Sequence, residues 1–167
     1  TSLARKNKRI VLLAGDIGNR LFDDFKENFP NRFYNCGVAE AHMTGLAAGL
    51  AHSGLIPVTY TIAPFNTFKC IEQIKIDICY QNLPVIIVGT GAGLSYSPLG
   101  ATHQSLEDIA MLRSLPNLNI VCPADKFEVE SILEVLIKNP QPTYFRIGKK
   151  GEPLVHNKNI INKVKIG

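Results

Sequence analysis

Short apolar runs alternate along this chain with stretches of helical periodicity. Residues 10–14, Ile-Val-Leu-Leu-Ala, are continuously apolar and are closed by Gly15-Asp16. Such a run reads as a strand buried on both faces, as in parallel sheets. A helix is expected over residues 19–28, stopped by Pro30, and a second short strand over 33–35. Residues 39–53 carry a small-residue helix, apolar almost all round, with Gly54 as its stop. Further strands are expected at 56–61, 84–89, 119–122 and 143–147. Residues 64–81 place Phe68, Ile71, Ile74 and Ile78 at three- and four-residue spacing, and Pro64 suits a first helical turn. Helices are also expected over 104–112 and 125–138, with a Gly-, Ser- and Pro-rich loop at 90–102.

Strands alternating with helices predict an α/β fold: three layers, α/β/α, around a mainly parallel six-stranded sheet. Ligands of such sheets bind beyond the carboxyl ends of the strands. Asp16, Glu40, Phe65, the 90–102 loop, His103 and Lys149 all fall there on this reading. That clustering is the first indication of a site.

Glu40 is the only formal charge between Ala39 and Ala63, in the first turn of the apolar helix. A lone carboxylate in such a place has to be paired, protonated or used. His103 follows a glycine-containing loop at the expected start of the 104–112 helix. An imidazole there can donate or accept a proton near neutral pH, and its plainer reading is a surface or capping residue. Phe65 and Phe68 read as core aromatics. Phe65 also sits at a strand-to-helix junction, where an aromatic face can hold a flat ligand ring. Gly89-Thr90-Gly91-Ala92-Gly93 follows a strand but opens no helix and lies on the fourth strand, a poor match to a dinucleotide-binding loop.

Composition narrows the classes. The chain has 167 residues, 46% hydrophobic and 19% charged, which suits one globular domain. No apolar run approaches the ~18–20 residues of a membrane span. The net charge is +4, with the basic residues thickest at the two ends. No basic stripe interleaved with aromatics is present, so neither nucleic acid nor membrane is expected as a partner. Cys36, Cys70, Cys79 and Cys122 form no CxxC pair and sit in apolar runs. They read as free thiols in a reducing cytoplasm, and no metal site is expected in this chain.

Phe33-Tyr34-Asn35-Cys36-Gly37-Val38-Ala39-Glu40 resembles the F-x-N-x-G-I-A-E motif of the transketolase family. Gly100-Ala101-Thr102-His103-Gln104, with Leu106-Glu107-Asp108-Ile109-Ala110, resembles its G-x-T-H-Q…E-D-I-A segment. Leu115-Pro116-Asn117, Pro123-Ala124-Asp125 and Pro142-Thr143-Tyr144-Phe145-Arg146 follow in the family's order. The resemblance is to the central, pyrimidine-binding domain of these thiamine-diphosphate enzymes, which have a Rossmann-like fold, and it covers residues 8–155. It implies that Glu40 bonds the N1′ atom of the aminopyrimidine and shares a proton with it, a catalytic and cofactor-binding role. It implies that Phe65 or Phe68 packs on that ring, that Asp16 lies near the cofactor, that His103 contacts the reacting end of a sugar, and that Lys149 meets a substrate phosphate.

The implied activity is transfer of a two-carbon ketol unit between sugars. A carboligase like 1-deoxyxylulose-phosphate synthase is the alternative within the family, and a non-catalytic assembly module is a second. Family members have Glu-Asp before the glycine of the G-x-T-H-Q segment, where this chain has Pro98-Leu99. That departure points to a non-standard sugar. The GDG…N motif that carries Mg²⁺ and the diphosphate is absent from these residues. The expectation is therefore a domain spanning 1–150, part of the C-terminal half of a split enzyme, with residues 151–167 as a linker toward a further domain. It would work with a diphosphate-binding subunit or domain that holds the Mg²⁺. The small-residue helix is expected to form a homodimer interface.

Overall fold

The computed structural model describes residues 1–149 and 151–157. Six strands form one sheet among these residues, in the order β2-β1-β3-β4-β6-β5. They are β1 (Ile10–Ala14), β2 (Phe33–Asn35), β3 (Ile56–Ile62), β4 (Ile86–Thr90), β5 (Asn119–Val121) and β6 (Thr143–Arg146). Every neighbouring pair is parallel. The sheet expected from the sequence is present, and fully parallel rather than mainly so.

The alternation within each strand divides the core. Val11 and Leu13 of β1 and Ile87 of β4 face one layer, built by α3 (Glu40–His52) and the segment after β3. Ile86 and Val88 of β4, with Phe145 of β6, face α7 (Lys126–Lys138) through Ile132 and Leu136. Ile10 and Leu12 meet Phe25 of α2 (Asp23–Asn28) and Ala4 of α1 (Ser2–Lys6). Met43, Ala47, Ala48 and Ala51 let α3 lie close on the sheet.

Three expectations are corrected, and one further helix, α1, is present. The basic N-terminus contains α1, because Ala4 buries against the β1 side of the core and Arg32 Nη2 donates to the Ala4 carbonyl at 3.0 Å. The helix expected over 19–28 begins only at Asp23, after left-handed bends at Gly18 and Arg20. The helix expected over 64–81 is a chain of short turns: α4 (Ala63–Thr67), a 3-10 turn (Phe68–Cys70), α5 (Ile71–Gln73) and a π-helical stretch (Ile74–Cys79). Thr67 and Cys70 depart from helical dihedrals, and the Thr67 hydroxyl bonds back to the Ala63 carbonyl at 2.8 Å. The π turn, marked by the Tyr80 N–H donating to Lys75, keeps Ile74, Ile78 and Cys79 all buried.

The third correction concerns His103. No helix starts at Gln104; α6 runs Asp108–Leu112. Gly93 and Ser105 exchange both backbone hydrogen bonds, at 2.9 and 3.0 Å, and hold Ser105 in a bridge instead. His103 therefore sits in a turn, its N–H bonded to the Gly100 carbonyl at 3.0 Å.

The expected linker begins against the domain. The Asp125 carboxylate caps α7 through the N–H groups of Phe127 and Glu128, and accepts the N–H groups of Val155 and His156 at 3.0 and 2.8 Å. Residues 158–167, the rest of that segment, lie outside the described residues.

Candidate functional site

The carboxyl ends of β1, β3, β4 and β6 open on one rim. Glu40 stands there at the start of α3, 1% exposed. Its neighbourhood is tight because Gly15, just past β1, has no side chain. A Cβ on Gly15 would lie 3.1 Å from Thr61 and 3.6 Å from Cγ of Glu40. Thr44 fixes the first turn by donating to the Glu40 carbonyl at 2.8 Å. The Glu40 carboxylate accepts from Nζ of Lys69 at 2.6 Å, and the lysine side chain is 51% exposed.

Lys69 also links the carboxylate to an aromatic wall. Its Nζ lies 5.4 Å from the centre of the Phe65 ring. Phe65 meets the His103 imidazole edge-on, with centroids 5.0 Å apart. The Nδ1 atom of His103 shares a hydrogen bond with the Thr102 hydroxyl at 2.9 Å, its direction set by the tautomer. Tyr96 stands 6.2 Å beyond His103, and Nζ of Lys149 lies 4.4 Å above the Tyr96 ring. Burial, then the charge of Tyr60, pushes the Tyr96 hydroxyl above the ordinary tyrosine range. Glu40, Lys69, Phe65, His103, Tyr96 and Lys149 thus form a continuous wall.

Asp16 is placed at the same rim but exposed, in a left-handed conformation. Asn35 holds it from both sides: its Nδ2 donates to Asp16 Oδ1 at 3.0 Å, and its Oδ1 accepts from the Asp16 N–H at 3.2 Å. The same Oδ1 takes the Gly37 N–H at 3.0 Å, which fixes the entry into α3. Phe68 is half-buried on the 3-10 turn and, among the described residues, shares no ring contact with the wall.

Sequence reasoning missed Lys69, Tyr96 and a buried network beneath the rim. Asp108 of α6 is fully buried, and its Oδ2 accepts from Tyr144 Oη at 2.7 Å and Arg146 Nε at 2.8 Å. Burial opposes the Arg146 charge, but the bond and charge of Asp108 outweigh it and raise its pKa. Burial, then Asp108, pushes Tyr144 far above the tyrosine range. Arg146 Nη2 donates to the Ser105 carbonyl at 3.3 Å, so the network holds the end of the loop that carries His103. The E-D-I-A segment contained Asp108, but nothing local announced its partner 38 residues away.

The donor set suits an aminopyrimidine better than a metal. A buried carboxylate linked through one lysine ammonium to a half-buried aromatic face can meet a ring nitrogen and a ring plane together. Among the described residues no three His, Cys, Asp or Glu side chains converge to hold a metal ion. No helix of those residues is long and apolar enough to cross a membrane.

Comparison with known proteins agrees. A family model described as the transketolase pyrimidine binding domain matches residues 1–152. A subunit of the apulose-4-phosphate transketolase of Phocaeicola vulgatus is 40% identical over 155 residues, covering 92% of this chain and 50% of that protein. 1-Deoxy-D-xylulose-5-phosphate synthase of Dictyoglomus turgidum is 39% identical over 145 residues, covering 86% of this chain and 23% of that protein. A solved structure described as "Split gene transketolase, inactive beta4 tetramer" superposes with a TM-score of 0.84 at 37% identity, covering 95% of this chain and 51% of that one. The chain spans about half the length of the subunit-type relatives it matches. Fold, rim geometry and family model converge: the chain belongs to the transketolase family, as a pyrimidine-binding domain.

Proposed function

We propose that this domain supplies the ring-binding half of a thiamine-diphosphate site and serves two-carbon ketol transfer between small phosphorylated sugars. The observation that carries this reading is the buried Glu40 carboxylate, joined through the Lys69 ammonium to the Phe65 face. When bound, the cofactor supplies a thiazolium carbon that can attack a ketose carbonyl. Glu40 holds and shares a proton at the pyrimidine ring nitrogen. Phe65 packs on the ring plane and, with the core behind it, excludes water. His103 stands edge-on to Phe65, where its imidazole can pass a proton to a sugar hydroxyl. Lys149 offers a point charge to an anionic terminus. Asp16, pinned by Asn35, borders the cofactor edge of the site.

The diphosphate and its Mg²⁺ are assigned to a second domain or subunit, since these residues hold no GDG…N motif. The name of the structural neighbour, an inactive tetramer of β chains from a split gene, supports partner dependence. Self-association through the α3 side is part of the reading, supported by Val38, 74% exposed beside the small residues of that helix. The four free thiols support a reducing cytoplasm as the setting.

The test mixes this chain with its diphosphate-binding partner, thiamine diphosphate, Mg²⁺ and a ketose phosphate. Release of the shortened aldose and transfer to an acceptor aldehyde are expected. The synthase-like relative favours a second reading, decarboxylative joining of pyruvate to an aldose phosphate. Turnover with pyruvate and none with a ketose would replace the first reading by the second.

A further inference from the structure

Glu40 cannot meet a ligand while its surroundings stay as they are. The carboxylate is 1% exposed, so one of the groups that cover it has to move. Most of that cover is fixed. Gly15 contributes backbone at the strand end, and Thr44 and Thr61 are each 1% exposed. Cys70, close enough for its thiol to feel the Glu40 charge, is 0% exposed. Displacing any of these would open the core, where packing is close and voids are costly.

Lys69 differs from the rest. It lies on the 3-10 turn between α4 and α5, where the helix is already interrupted. Its side chain is 51% exposed, so it can swing into water without leaving a cavity. Its ammonium reaches back to the carboxylate at 2.6 Å and lies 5.4 Å from the Phe65 ring centre. It therefore stands at the corner where a ring lying on Phe65 would bring a nitrogen to Glu40.

We propose that Lys69 is a displaceable counter-ion that closes the Glu40 site, and that an aminopyrimidine gains Glu40 when its ring nitrogen replaces the lysine ammonium and the proton shared by nitrogen and carboxylate is taken up from water. This rests on the cofactor reading above. The closed pair satisfies a buried carboxylate that would otherwise be uncompensated. It competes with the ligand, because apparent affinity falls in proportion to the fraction of open sites. Lys69 is a positioning residue here: it sets how available Glu40 is and touches no reacting atom.

The experiment is calorimetric titration of thiamine diphosphate, with Mg²⁺, into the complex of this chain with its diphosphate-binding partner. Lys69→Met keeps an apolar stem and removes the charge; Lys69→Arg keeps a cation. Lys69→Met is expected to bind about fivefold tighter than wild type, the scale of a half-exposed ion pair. Lys69→Arg is expected to stay near wild type, and it separates loss of charge from loss of packing if the methionine variant melts early. Equal or weaker binding by a folded Lys69→Met overturns the proposal. Glu40→Gln distinguishes the two levels. If wild type binds and Glu40→Gln binds equally well, the cofactor reading of Glu40 is wrong and the proposal falls with it. If Glu40→Gln binds weakly and Lys69→Met gains nothing, only the counter-ion role is wrong.

Discussion

The His103 imidazole stands edge-on to the Phe65 ring, with centroids 5.0 Å and planes 71° apart. The two residues come from different strand ends, and their contact decides which phenylalanine belongs to the wall. Phe65→Ala is expected to weaken thiamine diphosphate binding by the partnered protein about fivefold, the equivalent of about 1 kcal/mol of aromatic contact. Phe68→Ala is expected to change it less than twofold, about 0.4 kcal/mol. Calorimetric titration of both variants checks this. A larger loss in Phe68→Ala would transfer the ring-packing role to Phe68.

The Asp108–Arg146 pair holds the loop end beneath His103. Asp108 is fully buried and accepts from both Arg146 and Tyr144. Asp108→Ala leaves the guanidinium and the phenol without their shared acceptor, so a loss of about 3–5 kcal/mol is expected. Urea denaturation of the isolated chain measures it. A loss below about 1 kcal/mol, the level of a surface pair, would show that the network carries little of the fold.

Acid should loosen the α7 cap and the segment fastened to it. Burial works against ionisation of Asp125, but N–H donors from Glu128, His156, Val155 and Phe127 overcome it and hold its pKa down at about 2. A depressed carboxylate stabilises the fold fully above its ordinary value of 3.8, and that stabilisation disappears as pH falls toward 2. Thermal melting between pH 5 and pH 2, a window spanning both values, should therefore fall more steeply in wild type than in Asp125→Asn. Parallel curves would contradict the assignment.

Gly91 is the seat of Tyr96. It has a φ of 69°, and a Cβ there would collide with the Tyr96 ring. Gly91→Ala should evict the ring and leave Lys149 without the face that holds its ammonium. In the partnered enzyme this is expected to raise KM for a phosphorylated ketose about fivefold, an aromatic–cation contact's worth, with kcat little changed. Tyr96→Ala should reproduce the effect and Tyr96→Phe should spare it. Unchanged KM in both alanine variants would remove Lys149 and Tyr96 from substrate recognition.

The strands were legible because each is a short apolar run, and both faces of a parallel sheet are buried. The rim was legible for the same reason: once the strand ends were placed, Asp16, Glu40, Phe65 and His103 fell together. What escaped depended on distant partners. A Gly93–Ser105 bridge, not a helix start, sets the His103 turn. Lys69 occupies an ordinary position on an interrupted helix and becomes notable only when it folds back on a carboxylate 29 residues earlier. The short N-terminal helix α1 gave no periodic signal, since Ala4 is its only buried residue.

In the proposed function the buried Glu40 carboxylate operates a thiamine-diphosphate ring. The most direct measurement is two-carbon transfer by the partnered protein carrying Glu40→Ala, at saturating cofactor and Mg²⁺. Transfer per folded molecule, with the folded fraction read from urea denaturation of the isolated chain, should fall roughly 10²–10⁴-fold, the usual contribution of a positioned acid–base group. Turnover equal to wild type would show that Glu40 takes no part in transfer.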